Sequence, residues 1–397
     1  MLLGCEITNF DIFDDDRIGI LEDGRDGDNP CRMRNMTALI GRNNTGKTCF
    51  MNTMEFIRDC VVLNVADAAI KDVRPGFANM VSDSSKPAVF KLFFKLRDKI
   101  TFKSKYIRYE LSIASDPYGR PYVASEKAVR SDKDPDGKGY IQVTILDMER
   151  GSGSIAYPKA QAGDMGAIDV EDEHLTALSI YGKLSGYTDM CDLYKEISGW
   201  FFCKFSSEVA DNDYLSGSKA PGGHKHLNST GSNVRNVLEY LKAENEEIFQ
   251  ATVDSIKAKI PNMKKRKNLP SELASSPDRL FLYLLLLNDK CPRSTIFMET
   301  PDKDLYHDMV DVLADEMREY SFKNKYSQII FSTHNPYIIE DLSPREVWVF
   351  TRSFDKRDGD VSIKCAGADP LVDELFKQGV GMGAIWYGGH LDQEDEE

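Results

Sequence analysis

The chain is 397 residues long, with 41% hydrophobic and 29% charged residues and a formal net charge of −14, enough to bury a sizeable core and divide into two or three sub-domains. The acidic balance argues against general affinity for nucleic acid, whose phosphate backbone rewards clustered Lys and Arg. The longest dense apolar run, Leu280–Leu287, is about half the ~20 residues needed to cross a bilayer.

In chain order, four stretches emerge. Residues 1–85 open with strand-like LLGCEITNF and an acidic turn, DDD…EDGRDGDN, followed by a strand MTALI and a helix from Lys47 to about Cys60. Phe50, Met51, Met54, Ile57 and Val61 fall on one stripe of that helix, the spacing of a buried face. MLLGCEITNF has neither the basic region nor the small-residue cleavage site of a secretion signal, so a cytoplasmic protein with no membrane partner is expected. Residues 86–165 read as an antiparallel β lobe, with AVFKLFFKL, YIRYELSI, YVASEKAV and YIQVTIL separated by the turns SDPYGR and DPDGKG. Within it, Lys86 to Arg108 carries eight basic residues against one acid, Asp98; alternation in AVFKLFFKL puts Lys91 and Lys95 on a solvated sheet face. Residues 166–262 read as a helical insertion, in which NVRNVLEYLKAENEEIFQ places Val234, Val237, Leu238 and Leu241 along one face. Residues 263–397 alternate helix and strand, with STIFM, SQIIFST and EVWVF as short apolar strands, the pattern of a largely parallel sheet between helices. A second basic cluster, KKRK at Lys264–Lys267, lies in this last stretch, and the acidic tail DQEDEE reads as a disordered end.

Eight cysteines lie far apart with no C-x-x-C pair, against a zinc ribbon and a redox pair and for free thiols in a reducing compartment. His224 and His226 in GGHKHLN have metal-ligand chemistry, but such a pair in a Gly-rich segment reads first as polar loop.

The sharpest motif is Gly41-Arg42-Asn43-Asn44-Thr45-Gly46-Lys47-Thr48, a full G-x-x-x-x-G-K-[ST] string directly after the strand MTALI and opening a helix. Its glycines let the loop wrap phosphates with backbone N–H groups, and the helix N-terminus adds a favourable dipole. Lys47 is then placed for the β and γ phosphates and the Thr48 hydroxyl for Mg²⁺, so ATP with Mg²⁺ is the expected ligand.

The distance from Lys47 to the strand ending at Glu299 is far longer than in small kinases or GTPases. Together with SQIIFSTHNPYIIEDL, which delivers Ser332, Thr333 and His334 to a sheet edge, it resembles the ABC-type ATPase heads of the RecF, SMC and OLD kind. The resemblance is nearest to the stand-alone "AAA family" ATPases of prokaryotic anti-phage systems, such as Septu-like, PARIS-like and retron-associated ATPase subunits. It covers most of the chain outside residues 131–230, running through ITNF…MTALIGRNNTGKT, the hairpin lobe, TGSNVRNVLEYLKAENEEIF, ETPDKDLY, STHNPYII and GAIWYGGHLD.

The resemblance implies an α/β ABC-type P-loop ATPase head with a mixed, largely parallel sheet, an antiparallel β lobe and a helical insertion. It assigns His334 to the switch histidine that senses the γ-phosphate, and Glu299 to the acid that orients the Mg²⁺ water. Where the family has a second acid that polarises the attacking water, this chain has Thr300. A neutral hydroxyl is a poor general base, and losing a positioned base typically costs about 10²–10⁴-fold in rate, so hydrolysis is expected to be slow or absent unless Asp302 or Asp304 stands in. Sliding the alignment by one residue makes Glu299 the base and leaves Met298 as metal partner, which breaks the other role. The family's S-x-G signature, which reaches across a head-to-tail dimer, is replaced in LASSPDRLFLYLLLL by Ser276, Pro277 and Asp278, a good helix start but an ill-suited anion contact. Phe10 and Phe13 fall on the expected adenine side.

The expected role is therefore a nucleotide-gated regulator or scaffold in an anti-phage complex. The expected assembly is a homo-dimer or higher oligomer through the ATPase heads, with a separate effector such as a nuclease, since no nuclease pattern occurs in the chain. The alternatives are a true ATPase driven by turnover and a RecF/SMC-like DNA-binding ATPase of DNA repair, against which the acidic balance and the lack of coiled-coil arms speak. An importer ATPase fits least, because the insertions lie in the wrong places.

Overall fold

A computed structural model of the chain describes residues 1–22, 31–97, 103–133, 139–157, 164–205, 225–260, 278–353 and 360–391. Its N-terminal third supplies β1 (Leu2–Phe10), β2 (Phe13–Gly19), β3 (Met36–Ile40), α1 (Lys47–Val62), α2 (Val65–Ile70), β4 (Ala88–Arg97), β5 (Ser104–Ser115) and β6 (Pro121–Lys133). Next come β7 (Tyr140–Glu149), β8 (Ser152–Ala156), β9 (Met165–Asp169), α3 (Ala177–Tyr181), α4 (Thr188–Ser198), β10 (Trp200–Cys203), α5 (Val234–Glu244) and α6 (Glu246–Lys259). The C-terminal part adds α7 (Asp278–Leu287), β11 (Thr295–Glu299), α8 (His307–Lys323), β12 (Gln328–Ser332), β13 (Val347–Arg352), β14 (Val361–Cys365), α9 (Pro370–Lys377) and α10 (Met382–Tyr387).

These strands make two sheets. One has eight strands in the order β2-β1-β4-β5-β6-β7-β8-β9, with antiparallel neighbours throughout. The antiparallel strands after residue 85 are thus continuous with the N-terminal hairpin. The other has six strands in the order β10-β11-β12-β3-β13-β14, parallel from β10 to β13 and closed by antiparallel β14.

Helix α1 lies between the sheets. Its Phe50, Met54, Phe56 and Ile57 share a core with Ile7 and Phe10 of β1 and with Phe297, Ile330 and Phe350 of the parallel sheet. The opposite face of the parallel sheet, with Ile40, Ile296, Met298, Ile329 and Phe331, packs on α5 to α8 and α10. Strand residues alternate between the two cores, as a pleat requires, and the sheet is covered on both faces, as expected for parallel strands.

Several elements differ from expectation. Phe13–Gly19 is not an acidic turn but an edge strand, in which Phe13 and Ile18 are buried while Asp14, Asp15 and Arg17 are exposed. Its exposed charges face solvent and Arg17 stands opposite Glu6 in register, a composition that protects a sheet edge from further pairing. Trp200–Cys203, inside the stretch read as helical, is a fully buried strand beside β11. The helical run after Asn233 is broken at Asn245, whose side chain accepts the Ile248 N–H and starts a second helix. Lys91 is half-buried and ion-paired with Glu6 at 2.6 Å rather than free in solvent.

Candidate functional site

Parallel register decides what converges at the C-terminal edge of the second sheet. Glu299 pairs with Ser332, and Ser332 with Leu39, so β12 separates the strand that ends in Glu299 from the strand that feeds the Gly41–Thr48 loop. The residues that follow, Gly41 after β3 and Thr333-His334 after β12, leave the sheet at the same edge.

The loop's backbone needs its glycines. Gly41 has φ 133° and Gly46 φ 108°, a region costly for side chains. A Cβ on Gly41 would also lie 2.1 Å from the Phe350 carbonyl oxygen, and one on Gly46 2.9 Å from Ile12 Cδ1. Gly46 is the N-cap of α1, so no side-chain hydrogen bond caps this helix and its first N–H groups are left for an outside acceptor. Arg42, Asn43 and Asn44 are exposed, while Thr45 is buried and its hydroxyl donates to the Arg42 carbonyl at 2.9 Å.

Lys47 is buried. Its ammonium donates to the Gly41 carbonyl at 2.7 Å, the Arg42 carbonyl at 2.6 Å and the Thr45 hydroxyl at 3.3 Å. Burial pushes its pKa down to about 8. The Thr48 hydroxyl donates directly to Glu299 Oε1, so two side chains 251 positions apart in sequence meet at the loop.

Beyond Glu299 the chain turns sharply. Thr300 has φ 40°, an outlier for a β-branched residue, and its N–H donates to the Ser332 carbonyl at 3.0 Å and the Ser332 hydroxyl at 3.2 Å. Arg279, in the first turn of α7, clamps the same turn by donating to the carbonyls of Thr300 at 3.2 Å and Lys303 at 2.7 Å. This clamp was not anticipated, because a lone Arg ahead of an apolar helix gives no signal of what it touches. Asp302 accepts the Thr333 hydroxyl at 2.9 Å, and burial raises its pKa against that bond. Thr333 in turn accepts the Asn335 N–H at 2.9 Å, which shapes the segment around His334. His334 is exposed at this edge; partial burial and then the neighbouring Lys47 ammonium lower its pKa, with Asp302 opposing, so the imidazole is neutral near pH 7.

The structure therefore brings together Gly41–Thr48, Glu299, Thr300, Asp302 and His334. It does not bring Phe10 and Phe13 to the site as exposed rings. Both are buried, and Phe10 stacks on Phe56 at 4.9 Å in the core between the sheets. Ser276, Pro277, His224 and the basic run Lys264–Lys267 lie outside the described residues; α7 is described from Asp278.

Comparison with protein families matches residues 233–340, about a quarter of the chain, to a family described as "AAA domain, putative AbiEii toxin, Type IV TA system". That span holds Glu299, Thr300 and His334 but not the phosphate loop. No curated protein matches. Among solved structures, an SMC head bound to the C-winged helix domain of ScpA is similar at TM-score 0.46 and 13% identity, over 91% of this chain and 97% of that one. The SMC head domain from Thermotoga maritima follows at 0.42 and 13%, over 92% and 98%. The ADP conformation of an ATP-binding cassette of an ABC transporter follows at 0.34 and 11%, over 95% and 99%. The fold is α/β, with a mixed, largely parallel six-stranded sheet that sets a P-loop string between a strand and a helix. The phosphate-loop string lies between β3 and α1, and the acid-bearing strand β11 is separated from β3 by β12 alone.

Proposed function

We propose that the chain binds ATP·Mg²⁺ at this edge and serves as a nucleotide-gated regulator or scaffold for a separate effector in an anti-phage complex. One observation carries the binding reading: the Thr48 hydroxyl and the Glu299 carboxylate, from α1 and β11, are held in contact beside the buried Lys47 ammonium. Hydroxyl and carboxylate oxygens suit Mg²⁺, which favours hard oxygen ligands and is bound through one or two protein groups beside phosphates. Thr48 and Glu299 would hold the ion, which supplies charge neutralisation at the phosphates. Lys47 would exchange its bonds to the Gly41 and Arg42 carbonyls for phosphate oxygens, and Gly41–Gly46 would wrap the phosphates with backbone N–H groups.

Slow turnover follows from Thr300. The strained turn places a neutral side chain directly after Glu299, and a hydroxyl does not take a proton from water near pH 7. Asp302 is committed to Thr333, which weakens it as a substitute. A site that holds a triphosphate without spending it suits a switch that locks an assembly. The matched family's description, "putative AbiEii toxin, Type IV TA system", supports a place in a toxin–antitoxin system of that kind. The separate effector, a nuclease as first candidate, and the pairing of heads as a homo-dimer or higher oligomer are part of the proposal.

The DNA-repair reading gains no support. Lys91 is paired with Glu6 at 2.6 Å, Lys105 with Asp189 at 2.8 Å and Asp192 at 2.7 Å, and Arg108 with Glu22 at 3.3 Å, so these three cations of the basic run have acidic partners within the chain. The test is ATP binding and phosphate release by the pure protein beside Lys47→Ala. Tight Mg²⁺-dependent binding lost in the variant, with phosphate release barely above it, supports the proposal; turnover of ordinary ATPase speed contradicts the switch, and equal binding by both proteins contradicts the site.

A further inference from the structure

Away from the phosphate loop, a turn and a neighbouring segment bring three unlike donor side chains together. Asp289 and Cys291 lie in the turn between α7 and β11, and His226 lies in the segment leading to α5. One ligand atom from each of His226, Asp289 and Cys291 falls within 4.8 Å of the other two, and His226 Nδ1 is 2.6 Å from Asp289 Oδ2. The turn is held by a bond within the trio and the His226 segment by bonds from outside it. The Cys291 N–H donates to Asp289 Oδ1 at 2.9 Å, which leaves Oδ2 for the histidine. Asn233 Nδ2 donates to the His226 carbonyl at 2.9 Å, the Asn228 N–H donates to Asn233 Oδ1 at 2.9 Å, and Arg293 Nη2 donates to the Leu227 carbonyl at 3.3 Å. His226 and Asp289 are half-buried and Cys291 is exposed, so an ion reaches the trio from solvent.

We infer that His226, Asp289 and Cys291 form a binding site for a borderline divalent cation of the zinc kind, with three protein ligands and one open position. Imidazole and thiolate favour such an ion over Mg²⁺ or Ca²⁺, which select oxygen ligands. Tetrahedral ligands of this set lie roughly 3.3–3.8 Å apart, so the pair at 2.6 Å opens and the widest separation closes, each by about an ångström. The cation takes the place of the proton shared by His226 and Asp289. That proton leaves Nδ1 while Nε2 gains one, and the Cys291 thiol gives its proton to solvent, so binding releases a net proton. The bound ion staples the segment before α5 to the turn just ahead of β11, the strand that ends in Glu299. This inference does not depend on the nucleotide reading.

The experiment uses the full chain, stripped with a chelator and titrated with Co²⁺. The expected result is stoichiometric binding with thiolate-to-cobalt charge-transfer absorption, competed away by Zn²⁺. Cys291→Ser removes that absorption, His226→Gln weakens binding by at least ~10-fold, and Cys49→Ser, in α1 and outside the trio, leaves the absorption intact. Zn²⁺ raises the melting temperature of the parent protein and not of Cys291→Ser, with circular dichroism confirming that both are folded. Absence of the charge-transfer band in the parent, or its survival in Cys291→Ser, overturns the assignment.

Discussion

Lys47 gives the most quantitative prediction, because burial and function pull on it in opposite directions. Its pKa falls from an ordinary 10.5 to about 8, which at about 1.36 kcal/mol per unit amounts to roughly 3 kcal/mol against the charged form in the fold. The unfolded chain then holds more protons than the native one between about 8 and 10.5, so this group makes stability rise with pH across that window and leaves its full penalty in place below it. Lys47→Met removes the penalty and also removes the ammonium's bonds to the Gly41 and Arg42 carbonyls, each of which contributes about 1.5–3 kcal/mol with a charged donor. The variant is therefore expected to match the parent in stability at neutral pH or to fall short of it by up to about 3 kcal/mol. Relative to the parent it should lose roughly 3 kcal/mol more as the pH rises through the window. Urea unfolding of both proteins at neutral pH and near pH 10.5 measures the change. A stability difference independent of pH would refute the buried-ammonium reasoning.

Three further predictions rest on separate contacts. Arg279→Ala removes charged donors to the Thr300 and Lys303 carbonyls and should lower stability by about 2 kcal/mol, read by denaturant unfolding, while weakening Mg²⁺-dependent ATP binding several-fold. Thr300→Glu restores an acid beside Glu299 and should raise phosphate release by about 10²-fold or more; an unchanged rate would show that something other than the missing base limits turnover. Asp59 is buried against Arg58 at 2.7 Å, Lys71 at 2.9 Å and Arg74 at 2.8 Å; burial alone would raise its pKa, but these cations outweigh it and hold it below the usual carboxylate range. Its stabilisation is thus present above the unfolded carboxylate pKa and lost as pH falls through the depressed native value, so Asp59→Asn should cost about 3 kcal/mol at neutral pH and lose that part of the acid sensitivity, as thermal melts at neutral and acid pH would show.

The phosphate loop was legible in the sequence because every requirement is local: glycines where φ is positive, and a strand and helix on either side. The convergence of Glu299 and His334 on that loop was legible only through the order of segments, since it depends on β12 lying between β3 and β11, a pairing that no local pattern encodes. Phe13–Gly19 was misread because a charged edge strand buries only Phe13 and Ile18, and its acids look like a turn. Trp200–Cys203 was missed because a short, fully buried strand shows no alternation. Phe10 and Phe13 were placed on the adenine side by analogy; both are buried, Phe10 in the core between the sheets, while the Phe13 ring lies 3.6 Å from where a Cβ on Gly46 would stand. The ion pairs that occupy Lys91 and Lys105 draw partners from far along the chain, and the Arg279 clamp depends on carbonyls, to which side-chain identity gives no clue.

The central claim is that Thr48 and Glu299 form the seat of the metal that accompanies a bound triphosphate. Binding of Mn²⁺, followed by electron paramagnetic resonance with a non-hydrolysable ATP analogue present, tests it most directly. The account predicts that tight Mn²⁺ binding requires the analogue and weakens at least ~10-fold in both Thr48→Ala and Glu299→Ala. Mn²⁺ binding that is as tight without the nucleotide, or unaffected by either substitution, would contradict it.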